Sequence, residues 1–383
     1  MSDRRSNVRV GAGHGLNSID NANAPGAPTG TLGGPSIMER DLVDASVAKR
    51  LVQAIIDNLP EPVPGRRPVH TIGVGVKGKF VASDVARTYC VAEQFNGQPV
   101  DVSVRFSNGL GGLEQHDGWS DVRGMATRFH LSEGYGSDLI ATTLGEFFVR
   151  NVDDFFEFAK IAKLAPYRRR RWWLKLWDLL RLKMPPRNPY PNETRSVDAG
   201  ALCYANQHRF AQLGVFQVGL IGAPVSYSRA SYHAVHTFMV TAPDGVRRPV
   251  RFSWQPVAGV RNTNPEAVPH DKYLFEELEH RLRRWPARFM LMMTIGEAGD
   301  ALDDPTKPWP GTRIRVAMGT LTLIDVPKDQ DAAGERISFN PCRLAPGIEV
   351  SGDPILKARL GAYEASREMR GGCPFKWRAD NAK

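Results

Sequence analysis

Two side chains near the end of the sequence, Arg359 and Tyr363, could together bind a metal. They lie four residues apart in a segment with helical spacing, so both project from the same side of a helix. A guanidinium beside a phenol favours the phenolate, and a phenolate is a hard anionic ligand for ferric iron. An Arg/Tyr pair at this spacing is also common on protein surfaces. The pair therefore indicates an iron site only if other residues of the chain could complete that site.

The elements that would position this pair are strands grouped at hairpin spacing and a smaller number of helices. The pattern of apolar residues predicts strands over residues 69–80, 100–106, 125–130, 139–143, 236–241, 248–254 and 313–323. Apolar residues at helical spacing predict helices over residues 42–59, 153–165, 271–284 and 355–369. Asp244 and Gly245 form a hairpin turn signal between two of the strands. Because the helices do not alternate with the strands, we expect an α+β fold with an antiparallel barrel or sandwich.

Composition narrows the class of protein without naming a partner. The chain has 383 residues, with 50 Lys and Arg against 41 Asp and Glu, a formal charge of +9 that fits an anionic partner. No run approaches 18 apolar residues, and the four cysteines form no CxxC pair. With no secretory signal, we expect a cytoplasmic protein. Residues 1–36, rich in Gly, Asn, Ala and Pro, are predicted to be a flexible arm, and residues 37–383 one domain.

A series of short motifs resembles the catalase family, and the motifs occur in the family's order from Arg67 to Arg370. The matching segments are residues 67–80 (around Arg-Pro-Val-His), 104–107 (Val-Arg-Phe-Ser), 121–126 (Asp-Val-Arg-Gly-Met-Ala), 147–150 (Phe-Phe-Val-Arg), 236–238 (His-Thr-Phe), 339–341, 345–349 and 359–363. Each motif is weak alone, but the ordered set is specific. The resemblance implies an antiparallel eight-stranded β-barrel with surrounding helices and a bound haem, by default haem b with its iron.

The resemblance also assigns roles to individual residues. Tyr363 would be the proximal iron ligand, with its phenolate held by Arg359, and His70 the distal acid–base group. Ser107 would fix the tautomer of His70, and Thr142 would occupy the place of the distal asparagine. The remaining residues would contact the haem: Val69 and Phe155 through apolar side chains, and Arg67, Arg105 and Arg370 by pairing with the propionates.

The chain departs from ordinary catalases in two ways. Thr142 supplies one hydroxyl donor where the asparagine amide supplies two, which weakens the expectation of rapid hydrogen peroxide dismutation. Only 20 residues follow Tyr363, so the C-terminal helical domain of ordinary catalases is expected to be absent. The short length resembles the catalase-related peroxidases, and together with Thr142 it implies reduction of hydrogen peroxide or organic hydroperoxides by a small reducing donor.

Two other functions remain open from the sequence. The first is a fatty-acid hydroperoxide isomerase or dehydratase related to catalase, although such relatives commonly carry Thr where this chain has Val69. The second is a non-catalytic haem-binding or membrane-binding protein in which Thr142 marks lost chemistry. A homo-oligomer, dimer or tetramer, is expected in each case.

Residues 168–183 form a basic segment with three of the eight tryptophans. One interpretation is an interfacial helix at a membrane, or a helix that guides an acyl chain to the site. The alternative is a helix packed on its own subunit or on a partner, with solvated arginines. Nucleic-acid binding is not expected, because no nucleic-acid-binding motif surrounds the segment.

Overall fold

Eight antiparallel strands close into a barrel in the computed structural model of this chain. The structure describes residues 45–59, 63–109, 113, 115–119, 121–161, 172–182, 200–264, 267 and 269–371. Its strands are β1 (Gly73–Ala82), β2 (Val100–Asn108), β3 (Arg123–His130), β4 (Gly136–Thr142), β5 (Tyr232–His233), β6 (Phe238–Thr241), β7 (Arg247–Pro256), β8 (Ala287–Ile295), β9 (Arg315–Asp325) and β10 (Ile348–Val350). The predicted N-terminal arm lies outside the described residues.

The order of the strands shows how the barrel closes. Neighbours pair as β5-β4-β3-β2-β1-β9-β8, and β7 pairs with both β8 and β5, which completes the ring. Strands β6 and β10 extend the sheet outward from β7. This closed eight-stranded antiparallel barrel with helices around it confirms the fold class expected from the sequence.

The alternation of side chains along β2 shows which face of the barrel wall carries chemistry. Val102, Val104 and Phe106 point inward and belong to the buried core. Because successive residues of a strand point to opposite faces, Arg105 and Ser107 point outward. The polar residues implicated by the sequence therefore lie on the outer surface of the barrel, where the helices cover it.

The helices are α1 (Ala45–Asp57), α2 (Ala86–Tyr89), α3 (Val152–Ile161), α4 (Trp172–Leu180), α5 (Gly200–Gln207), α6 (Gln212–Leu220), α7 (Tyr273–Leu282) and α8 (Pro354–Met369). Helix α8 lies between the barrel and α1. Its Leu356 and Leu360 join the barrel core, while Lys49 of α1 pairs with Glu368 at 3.1 Å. This packing fixes the helix that carries Arg359 and Tyr363.

Candidate active site

His70 lies in an irregular segment rather than in the strand that its sequence suggests. Strand β1 begins only at Gly73, and His70 has a φ of 56°, in the left-handed region that is rare for a residue with a side chain. Its amide donates to the carbonyl of Gly109 at 3.2 Å, which helps to hold this conformation. The expectation of a strand over residues 69–72 is therefore wrong. The chain turns here instead, which directs the imidazole over the barrel surface.

The imidazole of His70 lies against Ser107 and Gly124. Its Nδ1 is 3.0 Å from the Ser107 hydroxyl, and Ser107 on β2 pairs directly with Gly124 on β3. A Cβ atom at Gly124 would lie 2.7 Å from the Ser107 oxygen and 2.9 Å from His70 Nδ1. The absence of a side chain at residue 124 therefore makes room for the His70–Ser107 contact.

Thr142 is brought to the same face of the barrel by strand pairing. It pairs with Gly124 from the side opposite Ser107, and directly paired residues of an antiparallel sheet project to the same face. Its hydroxyl accepts a hydrogen bond from the amide of Leu144 at 3.3 Å. The strand pairings thus place Ser107, Gly124 and Thr142 side by side on the face of the barrel where His70 contacts Ser107.

The surroundings of His70 keep its ring neutral. Burial lowers the pKa of His70 to about 4; Asp121 opposes this shift, while Arg105 and Arg359 reinforce it. At neutral pH the imidazole is therefore uncharged, with one nitrogen able to donate a proton and the other able to accept one.

Four residues form a chain of hydrogen bonds that ends at Tyr363. Arg359 donates through Nη2 to the Tyr363 oxygen at 2.7 Å and through Nη1 to Nε2 of His236 at 2.9 Å. His236 Nδ1 lies 2.6 Å from Asp353 Oδ2. Because the Asp353 carboxylate can only accept, Nδ1 carries the proton, and the free pair on Nε2 accepts from Arg359.

The same carboxylate begins helix α8. Asp353 Oδ1 accepts from the amides of Ile355 at 2.8 Å and Leu356 at 3.2 Å, and Pro354 occupies the first turn. Burial lowers the pKa of His236, although the adjacent Asp353 opposes this shift. A neutral His236 is the form that can accept from Arg359. The guanidinium is thereby fixed with its other end directed at the Tyr363 oxygen, to which it donates a hydrogen bond.

The three arginines predicted to bind propionates gather around one carboxylate. Arg67 donates to Glu335 Oε2 at 2.8 Å, and Arg105 donates to Glu335 Oε1 at 2.8 Å. Burial lowers the pKa of Arg67, and the nearby charges of Arg105 and Arg370 add to this effect. Three cations against one carboxylate leave an excess of positive charge, which two further carboxylates would neutralise.

Apolar side chains flank these charges. Val69, next to His70, is 37% exposed although its side chain is apolar. Phe155 on α3 is half-buried and packs with Phe147 and Phe148 at ring-centroid distances of 6.5 and 6.2 Å. The Phe147 ring is 5.8 Å from that of His236.

These features fit a haem. The Tyr363 oxygen is a suitable iron ligand, the surplus of cationic charge matches two propionates, and Val69 and Phe155 provide apolar surface for the macrocycle. Four contributing residues were not assigned from the sequence. His236 and Gly124 lie in two of the motifs that resemble the catalase family, residues 236–238 and 121–126. Asp353 precedes a proline, as residues that cap helices often do, whereas no sequence pattern marks Glu335.

Comparison with known proteins identifies the family. The sequence profile of the family described as Catalase matches residues 48–190 and 203–378. A catalase-related peroxidase of Mycolicibacterium paratuberculosis is 30% identical over 317 residues, covering 81% of this chain and 90% of that protein. A catalase-related peroxidase of Synechococcus elongatus is 28% identical, covering 80% and 84%. The chain spans only 48% of the length of catalase-2 of Bacillus subtilis, at 27% identity.

The fold agrees with this relationship. Catalase A of Saccharomyces cerevisiae superimposes with a TM-score of 0.65 at 23% identity, covering 81% of this chain and 62% of that structure. The match to the family profile includes the strands of the barrel and α8. The chain belongs to the catalase family, whose members are haem-dependent oxidoreductases that act on peroxides.

Proposed function

We propose that this protein is a haem peroxidase that reduces hydrogen peroxide or an organic hydroperoxide with a small reducing donor, and that it dismutates hydrogen peroxide only weakly. The observation that carries the proposal is the distal arrangement: His70 and Ser107 are in contact, while Thr142 stands where the resembled catalases have asparagine. The two relatives named catalase-related peroxidases support the same reading.

In this proposal Tyr363, held by Arg359, binds the iron of an ordinary haem b, and Arg67, Arg105 and Arg370 bind its propionates. The haem supplies the iron that binds the peroxide and the electrons that cleave its O–O bond. Val69 and Phe155 exclude water from the faces of the macrocycle. Glu335 holds Arg67 and Arg105 in place.

His70 would move the proton. We assign the proton of the neutral ring to Nδ1, which donates to the Ser107 oxygen, so Nε2 is the nitrogen that accepts a proton from the peroxide. Nε2 then returns this proton to the departing oxygen, which leaves as water from hydrogen peroxide or as an alcohol from an organic hydroperoxide. Two donor molecules each give up one electron and one proton, so that one peroxide yields one alcohol, or water, and a further water.

Thr142 would limit the second reaction of catalases, in which another hydrogen peroxide is the reductant. A threonine hydroxyl has one proton to donate, and here its oxygen already accepts from Leu144. It therefore orients a small peroxide less firmly than an amide does. A larger donor that reacts from outside the pocket does not require this contact.

The decisive experiment compares oxygen evolution with donor oxidation in the wild type, Thr142→Asn and Thr142→Val. We expect the wild type to oxidise donor faster than it evolves oxygen, Thr142→Asn to raise oxygen evolution at least tenfold, and Thr142→Val to leave it low. Strong oxygen evolution by the wild type would overturn the proposal. A rearranged product from a polyunsaturated hydroperoxide without any donor would instead indicate an isomerase or dehydratase.

We also propose that the protein forms a dimer or tetramer and acts in the cytoplasm, with peripheral contact to a membrane. The chemistry at His70 and Tyr363 does not depend on any of these points. Sedimentation of the haem-loaded protein at several concentrations tests the oligomeric state.

A further inference from the structure

Helix α4 presents apolar side chains to the solvent. Trp172 is 72% exposed and Leu180 is 69% exposed, and Leu176, Trp177 and Leu179 are each more than half exposed. None of these five side chains belongs to either of the buried apolar clusters of the described residues. The exposures count against the alternative that this face is buried on its own subunit.

These side chains lie on one face of the helix. Trp172, Leu176 and Leu180 follow one another at intervals of four residues and form a row along the helix. Trp177 and Leu179 flank that row, so the apolar face is wide. The guanidinium of Arg181 lies over the Trp177 ring at 4.9 Å, which places a cation at the edge of this face.

The charge of the surrounding sequence selects among partners for this face. Residues 168–183 contain seven Lys or Arg and one Asp, a net charge of +6 out of +9 for the chain. Arg168 to Arg171 and Lys183 lie outside the described residues and are counted here only for their charge. A second copy of this face would bring the same cations against one another, whereas an anionic surface would neutralise them.

The length of α4 limits how it can meet a lipid bilayer. Nine residues of α-helix extend only about 13 Å, less than half of a hydrocarbon core of about 30 Å. Within the described part of the chain, no helix is long and apolar enough to cross a membrane. A short helix with an apolar face that contains tryptophan and with basic flanks can instead lie in the plane of the headgroups.

We propose that helix α4 binds an anionic lipid surface, with Trp172, Leu176, Trp177 and Leu180 inserted at the headgroup level and Arg181, at the edge of this face, toward the lipid charges. This contact would hold the enzyme at the surface where lipid hydroperoxides form, but it does not require that the enzyme use them. It is independent of the proposed peroxidase chemistry.

The test is binding of the full-length, haem-loaded protein to vesicles in a flotation assay. Vesicles of phosphatidylcholine alone are compared with vesicles containing about one third phosphatidylglycerol, in 0.1 M and 0.5 M NaCl. We expect at least tenfold tighter binding to the anionic vesicles, and a loss of at least tenfold at the higher salt because the charges are screened.

Substitution separates the apolar contribution from the charge. The double variant Trp172→Ala/Trp177→Ala should weaken binding to anionic vesicles at least tenfold at both salt concentrations. Trp285→Ala is the matched control, because Trp285 is 71% exposed but lies outside the segment, just after α7. Both variants should retain the haem absorbance and the donor-oxidation rate measured without vesicles, which shows that they are folded.

Three results would overturn the proposal. The first is equal binding to neutral and anionic vesicles, or binding to neither. The second is an equal loss of binding in Trp285→Ala. The third is a double variant whose mass in sedimentation falls while vesicle binding is absent in the wild type, which would show that a second copy of the chain covers the helix.

Discussion

Replacing Gly124 with alanine tests whether the contact between His70 and Ser107 positions the imidazole for catalysis. The added Cβ would lie 2.7 Å from the Ser107 oxygen and 2.9 Å from His70 Nδ1, whereas ordinary contacts begin at about 3.4 Å. The hydroxyl must therefore move by about 0.7 Å and the ring by about 0.5 Å. Because Gly124 lies in the barrel wall, between β2 and β4, its backbone cannot easily move away instead.

A displacement of this size should affect the rate far more than the binding of haem. Misplacing a reacting group by about 1 Å can cost about 10²-fold in rate, so we expect kcat/KM for the peroxide to fall between about 10-fold and 100-fold. The haem content should stay within about 20% of the wild type, because Tyr363, Arg359 and the arginine cluster are untouched. Initial rates of peroxide-dependent donor oxidation, normalised to haem absorbance, give the comparison.

Gly136→Ala provides the matched control on the same outer surface. Gly136 is on β4, two strands from Ser107, and its Cβ would meet only the flexible side chain of Arg128, at 3.3 Å or more. This variant should keep its activity within about twofold. If Gly124→Ala were as active as Gly136→Ala, the His70–Ser107 contact would not position the catalytic imidazole, and the proposed distal assignment would be wrong.

Three further predictions follow from the geometry. Tyr363→Phe removes the proposed ligand atom and the partner of Arg359, so the haem absorbance per protein after purification should fall at least tenfold; unchanged haem content would contradict the assignment. Because His70 accepts a proton only in its neutral form and burial lowers its pKa to about 4, kcat/KM should be level between pH 5 and 7 and fall tenfold per unit below about pH 4, whereas a decline centred near pH 6.5 would contradict the neutral, buried ring. Asp353→Asn can still cap α8 but cannot accept a hydrogen bond from His236 in the same tautomer, so chemical denaturation should show a free energy of unfolding lower by about 1.5–3 kcal/mol. Asp353→Ala also removes the cap, so its free energy of unfolding should be lower by about 1 kcal/mol more. Equal stabilities of the two variants would contradict the capping role.

The sequence predicts elements well where one face of the element is apolar and the other polar. The sequence of β2 alternates between apolar and polar residues; the strand begins at Val100 as predicted and ends at Asn108, two residues beyond the predicted end at residue 106. The hairpin at Asp244-Gly245 is confirmed, with Gly245 at a φ of 79° and the Asp244 side chain accepting from the amide of Val246 at 3.0 Å. Helix α8 begins at Pro354, one residue before the predicted start at residue 355, and ends at Met369 as predicted.

Strand β8 escaped prediction for a physical reason. Its residues Phe289, Leu291 and Met293 are buried in the barrel, but the outward residues Met290 and Met292 are apolar too. The period of two that identifies a half-buried strand is therefore hidden in the sequence, although it is clear in the burial. The sequence therefore predicted a barrel but not β8, one of the two strands whose pairing closes it.

In the candidate site, too, the sequence predicts what short local motifs contain and misses contacts between distant residues. His70, Ser107, Arg359 and Tyr363 could be proposed as site residues because each lies within a short motif. The pairing of Arg67 with Glu335 joins residues 268 positions apart, and no local pattern encodes it. The left-handed backbone at His70 likewise depends on the surrounding tertiary structure, since a positive φ remains uncommon for histidine and no local pattern marks this position.

The double use of the Asp353 carboxylate links the order of a helix end to the retention of a cofactor. One oxygen holds the first amides of α8, and the other fixes His236 and, through it, the arginine beside Tyr363. If the first turn of α8 frays, the same event releases the support of Tyr363, the proposed iron ligand. Hydrogen exchange at the amides of Ile355 and Leu356 should therefore slow when haem binds, and these two amides would report haem loss before the barrel itself opens.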